Sequence, residues 1–162
     1  MSEEADLILR DATNSDSDDI RSLVFGILAE VGLNPDPSGV DSDLDDLAAS
    51  YVAPGGGFWV LRDEEANRLV GCIGLMPAGP GVLELRKMYL DSAYRGRGLG
   101  KLLLEHALAF ARQAGAGTVE LETESRLDTA IQLYQRYGFQ EVAADHVCSR
   151  CDRKFALEIG GE

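Results

Sequence analysis

A chain of 162 residues with 45% apolar and 27% charged residues is long enough to bury a core without disulfide or metal staples. No apolar run approaches the roughly 20 residues of a membrane span, and the start, Met1-Ser2-Glu3-Glu4-Ala5-Asp6, is opposite in sign to a secretory leader, so one cytoplasmic domain over 1–162 is expected. The net charge of −13 sets the chain against nucleic acid and anionic membranes unless a local basic patch overrides the field.

The charge is uneven. Residues 1–50 hold 13 acids against Arg10 and Arg21, and the whole chain has three lysines beside twelve arginines. An acidic, lysine-poor surface suits salt adaptation; the same acids would also suit a mouth for a cationic substrate.

In chain order, Asp6 to Ala12 reads as a first strand. Ser15-Asp16-Ser17-Asp18-Asp19 supplies caps and negative charge for a helix N-terminus. Ile20, Leu23, Val24, Ile27, Leu28 and Val31 then form a one-face helical stripe that Gly32 stops. Asp41 to Tyr51 reads as a short helix packing through Leu44, Leu47, Ala48 and Tyr51, with Asp41, Asp43, Asp45 and Asp46 around its outside. Phe58 to Arg62, Leu69 to Leu75 and Val82 to Leu90 are three strands with short links, an antiparallel meander. On the last of them, the period of two puts Glu84 and Arg86 on one face and Leu85 and Lys87 on the other. A helix is expected from the glycine turn to about Gln113, then a strand Thr118 to Thr123 in parallel pairing through a helical crossover. A helix over Arg126 to Tyr137 and strands from Gly138-Phe139 and over Arg153 to Ile159 complete the pattern.

Cys72, Cys148 and Cys151 are an odd set, which argues against a disulfide framework. Cys148-Ser149-Arg150-Cys151 is a lone C-x-x-C with His146 two residues upstream. Zinc needs four ligands and no second Cys/His pair exists, so no metal is expected. Two loop thiols, or contributors to a site, are.

The organising stretch is Tyr94-Arg95-Gly96-Arg97-Gly98-Leu99-Gly100-Lys101, placed between a strand and a helix. Glycines admit an anion close to the backbone, and a helix N-terminus adds free N–H groups and a favourable dipole. A Walker loop is excluded, because Arg95 and Leu102 stand where it needs Gly and Ser or Thr. A dinucleotide fingerprint is excluded, because Lys101 stands where it needs its third glycine.

Arg95-x-x-Gly98-x-Gly100 resembles the acetyl-coenzyme A (acetyl-CoA) loop of the GNAT superfamily of N-acetyltransferases. Ala130-Ile131-Gln132-Leu133-Tyr134-Gln135-Arg136-Tyr137-Gly138-Phe139 is similar to that family's second block, A-x-x-L-Y-x-x-x-G-F. The order of elements resembles the family over essentially the whole chain. The resemblance implies an α/β (α+β) fold with a mixed, mostly antiparallel sheet of six to seven strands. About four helices would flank it, with a V-shaped splay between strands 4 and 5. One departure is Leu127, where the family often has Asn.

The resemblance also implies roles. Gly96, Arg97, Gly98, Leu99, Gly100 and Lys101 would hold the pyrophosphate, with charge from Arg95 and Lys101. Met88, Tyr89 and Leu90 would line the pantetheine slot with their backbone groups. Tyr134 aligns with the family's general acid for the leaving thiolate. Glu84 is the best placed base; Glu120, Glu122, His146 and bulk water are its rivals. His146 and Arg150 stand in a polar loop of the kind that borders acceptor sites. Arg126, Arg150 and Arg153 suit an amino-acid carboxylate.

The expectation is therefore an acetyl-CoA-dependent N-acetyltransferase that acetylates a primary amine by direct attack, on a small molecule. A protein-lysine acetyltransferase, a catalytically silent acyl-CoA-binding regulator and a homodimer stay open.

Overall fold

The structure, a computed structural model, describes residues 6–143, 147, 148 and 150–160. Its elements are β1 (Leu7–Asp11), α1 (Ser17–Glu30), β2 (Gly57–Asp63), β3 (Arg68–Gly79), β4 (Val82–Leu90), α2 (Leu99–Gln113), β5 (Thr118–Thr123), α3 (Asp128–Arg136), β6 (Gln140–Val142) and β7 (Arg153–Glu158). The strands form one seven-stranded sheet in the order β1-β2-β3-β4-β5-β7-β6. Only β4 and β5 run parallel; the other neighbours are antiparallel. That is the mixed, mostly antiparallel architecture that the two motifs imply.

Alternation along the strands divides the apolar residues between two cores, one on each sheet face. Trp59, Leu61, Ile73, Leu75, Leu85 and Leu121 pack with Leu103, Leu104, Ala107 and Leu108 of α2 and Ile131 and Tyr134 of α3. Phe58, Val60 and Cys72 on the opposite face pack with Ile20, Val24 and Leu28 of α1 and with Leu44, Leu47 and Tyr51. Leu103 has no exposed surface, so truncating it to Ala would cost about 2–5 kcal/mol. Gly74 lets Tyr51 and Phe58 meet edge to face at 4.9 Å; a Cβ there would lie 2.7 Å from the Phe58 ring and 2.8 Å from the Tyr51 ring.

Between β1 and β2 the chain does not make the single helix expected over Asp41 to Tyr51. It makes a 3-10 turn, Ser42–Asp45, and a π turn, Ala48–Val52. Leu44, Leu47 and Tyr51 are buried as expected, but Asp41 and Asp43 are buried too rather than on the outside. Their partners are cations distant in sequence, which local spacing does not show.

Two features of β4 shape the cleft. Its pairing with β5 runs only from Val82↔Thr118 to Leu85↔Leu121, so the strands part although both continue. Against β3, β4 carries one extra residue between the pairs Gly74↔Arg86 and Cys72↔Tyr89. Lys87 takes a left-handed conformation there, with φ at +56°. This bulge corrects the expected alternation: Lys87 joins the side of Arg86, and both donate to the Val40 carbonyl, at 3.2 and 3.1 Å.

The C-x-x-C also departs from expectation. Cys148 and Cys151 are joined in a disulfide, while Cys72 is a buried free thiol. A turn in which the Cys151 amide donates to the Cys148 carbonyl at 2.9 Å brings the two Cα atoms to 5.0 Å. An odd cysteine count says nothing about such a local pair. His146 lies outside the described residues.

Candidate active site

The glycine loop follows β4 through a capped turn. Asp91 accepts from the Ala93 amide at 2.9 Å and pairs with Arg68 at 2.8 Å, holding the turn Ser92–Tyr94. Arg68 and Arg97 lie over the Tyr94 ring, 5.4 and 5.0 Å from its centroid. Gly96 and Gly98 then take φ of +83° and +78°, a region costly for any residue with a Cβ. Gly98 caps α2, so the first-turn amides of Leu99, Gly100 and Lys101 have no intrahelical acceptor. At Gly100 a Cβ would lie 3.3 Å from Leu133 of α3, so the helix N-terminus sits close against α3. Arg95 and Lys101 are exposed beside these amides, with Arg95 Nε donating to the Leu90 carbonyl at 3.1 Å. Free amides, helix dipole and cations at one place make a polyanion cradle.

That cradle opens onto a cavity of about 1140 Å³. Its walls include Met88, Tyr89 and Leu90 on the parted edge of β4, Leu121 to Thr123 at the end of β5 with Glu124 just beyond, and Tyr134 on α3. Tyr134 is 4% exposed and packs on Phe139 at 5.6 Å, and its hydroxyl makes no hydrogen bond among the described residues. Burial, with a smaller contribution from Tyr89, pushes its hydroxyl well above the usual phenol value, so it holds its proton through the neutral range.

Glu84 lines the same cavity, and no described residue donates to its carboxylate. Burial raises its pKa against the opposing effect of Arg86, and Glu122 and Glu120 raise it further. Of its rivals, Glu120 pairs with Lys154 at 3.4 Å and is not among the lining residues. Glu122 does line the cavity but accepts from the Cys148 amide at 2.8 Å.

A buried charge cluster backs the cavity wall where Asp43, Lys87 and Arg150 line it. Asp41, with a fully buried side chain, accepts two bonds from Arg150 at 3.0 and 2.8 Å and one from the Asp36 amide at 2.8 Å. Lys87 reaches Asp41 at 3.2 Å and Asp43 at 3.1 Å, and Tyr51 donates its hydroxyl to Asp43. Burial works to raise the Asp41 pKa; the Arg150 and Asp36 hydrogen bonds and the Lys87 charge outweigh it and hold the carboxyl below the usual range.

The structure therefore brings Glu84, Met88, Tyr89, Leu90, Arg95, Gly96, Gly98, Leu99, Gly100, Lys101 and Tyr134 to one cavity. Arg150 reaches it too, but with its guanidinium engaged by Asp41. Arg153 is taken by Glu141 at 2.7 Å and does not line the cavity. Sequence reasoning missed Asp43 and Lys87 as wall residues and Asp41 as the buried anion that ties Lys87 and Arg150 together behind them.

The family model described as the acetyltransferase (GNAT) family matches residues 27–139. The chain is 35% identical over 140 residues to YjgM, an uncharacterized N-acetyltransferase of Escherichia coli, with 83% of each covered. It superposes on an acetyltransferase of the GNAT family from Staphylococcus aureus Mu50 with a TM-score of 0.85 at 22% identity, over 94% of this chain and 98% of that one. YncA of Salmonella typhimurium, a putative acetyltransferase whose structure holds its cofactor acetyl-CoA, superposes with a TM-score of 0.74 at 19% identity, over 97% and 96% of the two chains.

Proposed function

We propose that this chain, which belongs to the acetyltransferase (GNAT) family and is an N-acetyltransferase, moves the acetyl group of acetyl-CoA to the primary amine of a small molecule by direct attack. The observation that carries this reading is the parting of β4 from β5 beyond Leu85 and Leu121. The parted edge leads from the cradle at Gly98 to a cavity that also holds Glu84 and Tyr134, whose hydroxyl has no hydrogen-bond partner among the described residues.

The residues fit the group. The free amides of Leu99, Gly100 and Lys101, with Arg95, match a pyrophosphate, and a basic patch is what lets a polyanion approach a chain of net charge −13. The β4 segment Met88–Leu90, past its last pairing with β5, offers backbone groups to an amide-bearing arm. Bound there, acetyl-CoA supplies the activated acyl group.

Glu84 takes a proton from the acceptor ammonium, which frees the lone pair for the N–C bond. A positioned N–H on β4 stabilises the charge developing on the thioester oxygen; such a donor is worth roughly 3–4 kcal/mol in other acyl transfers. As the C–S bond breaks, Tyr134 gives its proton to the thiolate, and the acylated nitrogen sheds its second proton to the Tyr134 phenolate, directly or through water, which leaves the neutral amide and restores the phenol.

The test is acetyl-CoA in a thermal-shift assay, followed by a thiol-release screen over amines, polyamines, amino acids and peptides. A rise in melting temperature with acetyl-CoA, then thiol release with a small amine, is the expected result. Binding without release from any acceptor would make the chain a silent acyl-CoA binder. Release with lysine peptides alone would make it a protein acetyltransferase.

A further inference from the structure

Arg86, in the cavity wall, has no anionic partner among the described residues. Arg86 is half-buried on β4, with Nη2 donating to the Val40 carbonyl at 3.1 Å and Nη1 reaching the Met76 sulfur at 3.6 Å. A guanidinium has five donors, so most of its hydrogen-bonding capacity is unused. Among the described residues no carboxylate lies within ion-pair distance of it, whereas Arg150 beside it is bound bidentately by Asp41. Burial works to lower its pKa, and Tyr51, Asp43, Glu84 and Glu122 outweigh that and raise it, although none of these carboxylates is within ion-pair distance.

The spacing of those groups has a chemical meaning. Glu84 and Arg86 are two residues apart on the same face of β4, a step of about 7 Å along a strand. Glu122 stands just past the Leu85↔Leu121 pair, across the point where β4 and β5 separate. A cation site flanked by two carboxylates suits a ligand that carries a carboxylate and an ammonium a few ångströms apart.

We propose that the acceptor is an α-amino acid whose carboxylate is held by Arg86 and whose ammonium faces Glu84 and Glu122. The proposal rests on the transferase reading above. It places the nucleophile beside the base, because the group that fixes the carboxylate lies two residues from Glu84. A planar guanidinium binds a carboxylate through paired, charge-assisted bonds, which also fixes the ligand's orientation.

The alternative cationic acceptor, a polyamine, fits less well. Among the described acids of residues 6–50, Asp43 alone lines the cavity, and it is already engaged by Lys87 and Tyr51. The described acids of the first third therefore do not form a mouth over the cavity, and a polycation lying against Glu84 would meet the Arg86 charge two residues along β4. An ε-amine of a protein lysine has no carboxylate to offer that guanidinium.

The experiment compares free amino acids with their α-amides and methyl esters, and with spermidine, by thiol release at fixed acetyl-CoA. The expected result is that kcat/KM falls roughly 10- to 100-fold on removing the carboxylate charge, the size of one charge-assisted hydrogen-bonded contact. In Arg86→Gln the KM for amino acids should rise by the same factor. The KM for acetyl-CoA should hold, and the acid-over-amide preference should vanish. Arg86→Lys should restore part of that preference. If Arg86→Gln does not fold, the acid, amide and ester comparison on the unaltered protein decides alone. Amides or spermidine used as well as amino acids would overturn the amino-acid assignment and leave the transferase reading standing. Acetyl-CoA binding with no thiol release from any acceptor would sink both.

Discussion

Asp41→Asn tests whether the buried charge cluster holds the cavity wall together. The change keeps shape and removes the charge from a side chain with no exposed surface. Arg150 then loses its carboxylate, at 3.0 and 2.8 Å, and Lys87 keeps only Asp43 at 3.1 Å. Stranding a buried charge in this way costs about 3–5 kcal/mol. For a chain of this size each kcal/mol moves the melting midpoint about 2–4 °C, so a fall of about 10 °C is expected. Urea melts followed by fluorescence of Trp59, the single tryptophan and a core residue, read the loss directly. Because the folded-state pKa of Asp41 is held below its unfolded value, its stabilisation is complete above about pH 5. It fades as the pH falls through the ordinary aspartate value near ~3.9 and on to the lower folded one. The gap between the two proteins should therefore be full at pH 7 and shrink steadily as the pH falls below about 4. As a control, Asp18→Asn removes a 93% exposed partner of Arg21 and should leave the melt almost unmoved. A loss below about 1 kcal/mol at pH 7, or a gap independent of pH, would refute the account.

Tyr134→Phe should lower kcat roughly 10²–10⁴-fold with the KM for acetyl-CoA unchanged, while the melting temperature barely moves because the ring still packs on Phe139. Steady-state kinetics with full activity would remove the acid role. Glu84 acts as a base only when ionised, and burial raises its pKa, so kcat/KM should climb with pH through a limb above the free glutamate value of about 4.3. Glu84→Gln should flatten that limb; an unchanged pH–rate profile would assign it to another group. Gly98→Ala meets no atom within 4 Å, so its cost is that of the left-handed backbone alone, about 1–2 kcal/mol. A lower melting temperature and a smaller shift with acetyl-CoA are expected, and wild-type values for both would show that the loop does not need that conformation.

Local pattern carried much of the architecture. The stripe from Ile20 to Leu28 is buried on α1, and β4 and β5 run over the residues that their composition marks, Val82–Leu90 and Thr118–Thr123. The glycine loop was legible for the same reason, since positive φ at Gly96 and Gly98 and a helix start at Leu99 are local demands. Lys87 was not legible, because a period-two reading assumes an unbroken ladder and one inserted residue reverses every side chain after it. Asp41 and Asp43 look like solvated acids by their neighbours; what buries them is Arg150, 109 residues away, and Lys87 on a strand of the sheet. The unpartnered state of Arg86 is invisible for a similar reason, because it depends on which acids stop short of contact.

The sheet order has a consequence for how the molecule comes into being. β7 follows β6 in the chain yet lies between β5 and β6. During synthesis β6 therefore emerges before it has any neighbour to pair with, and it must wait unzipped for the strand made after it. Until then β5 presents an open edge, with Glu120 and Glu122 on it, at the border of the unfinished cavity. An open edge can recruit the β7 of another copy as readily as its own. The border of the cavity along β5 is therefore closed only when β7 docks, and β7 is the strand through which two copies would exchange.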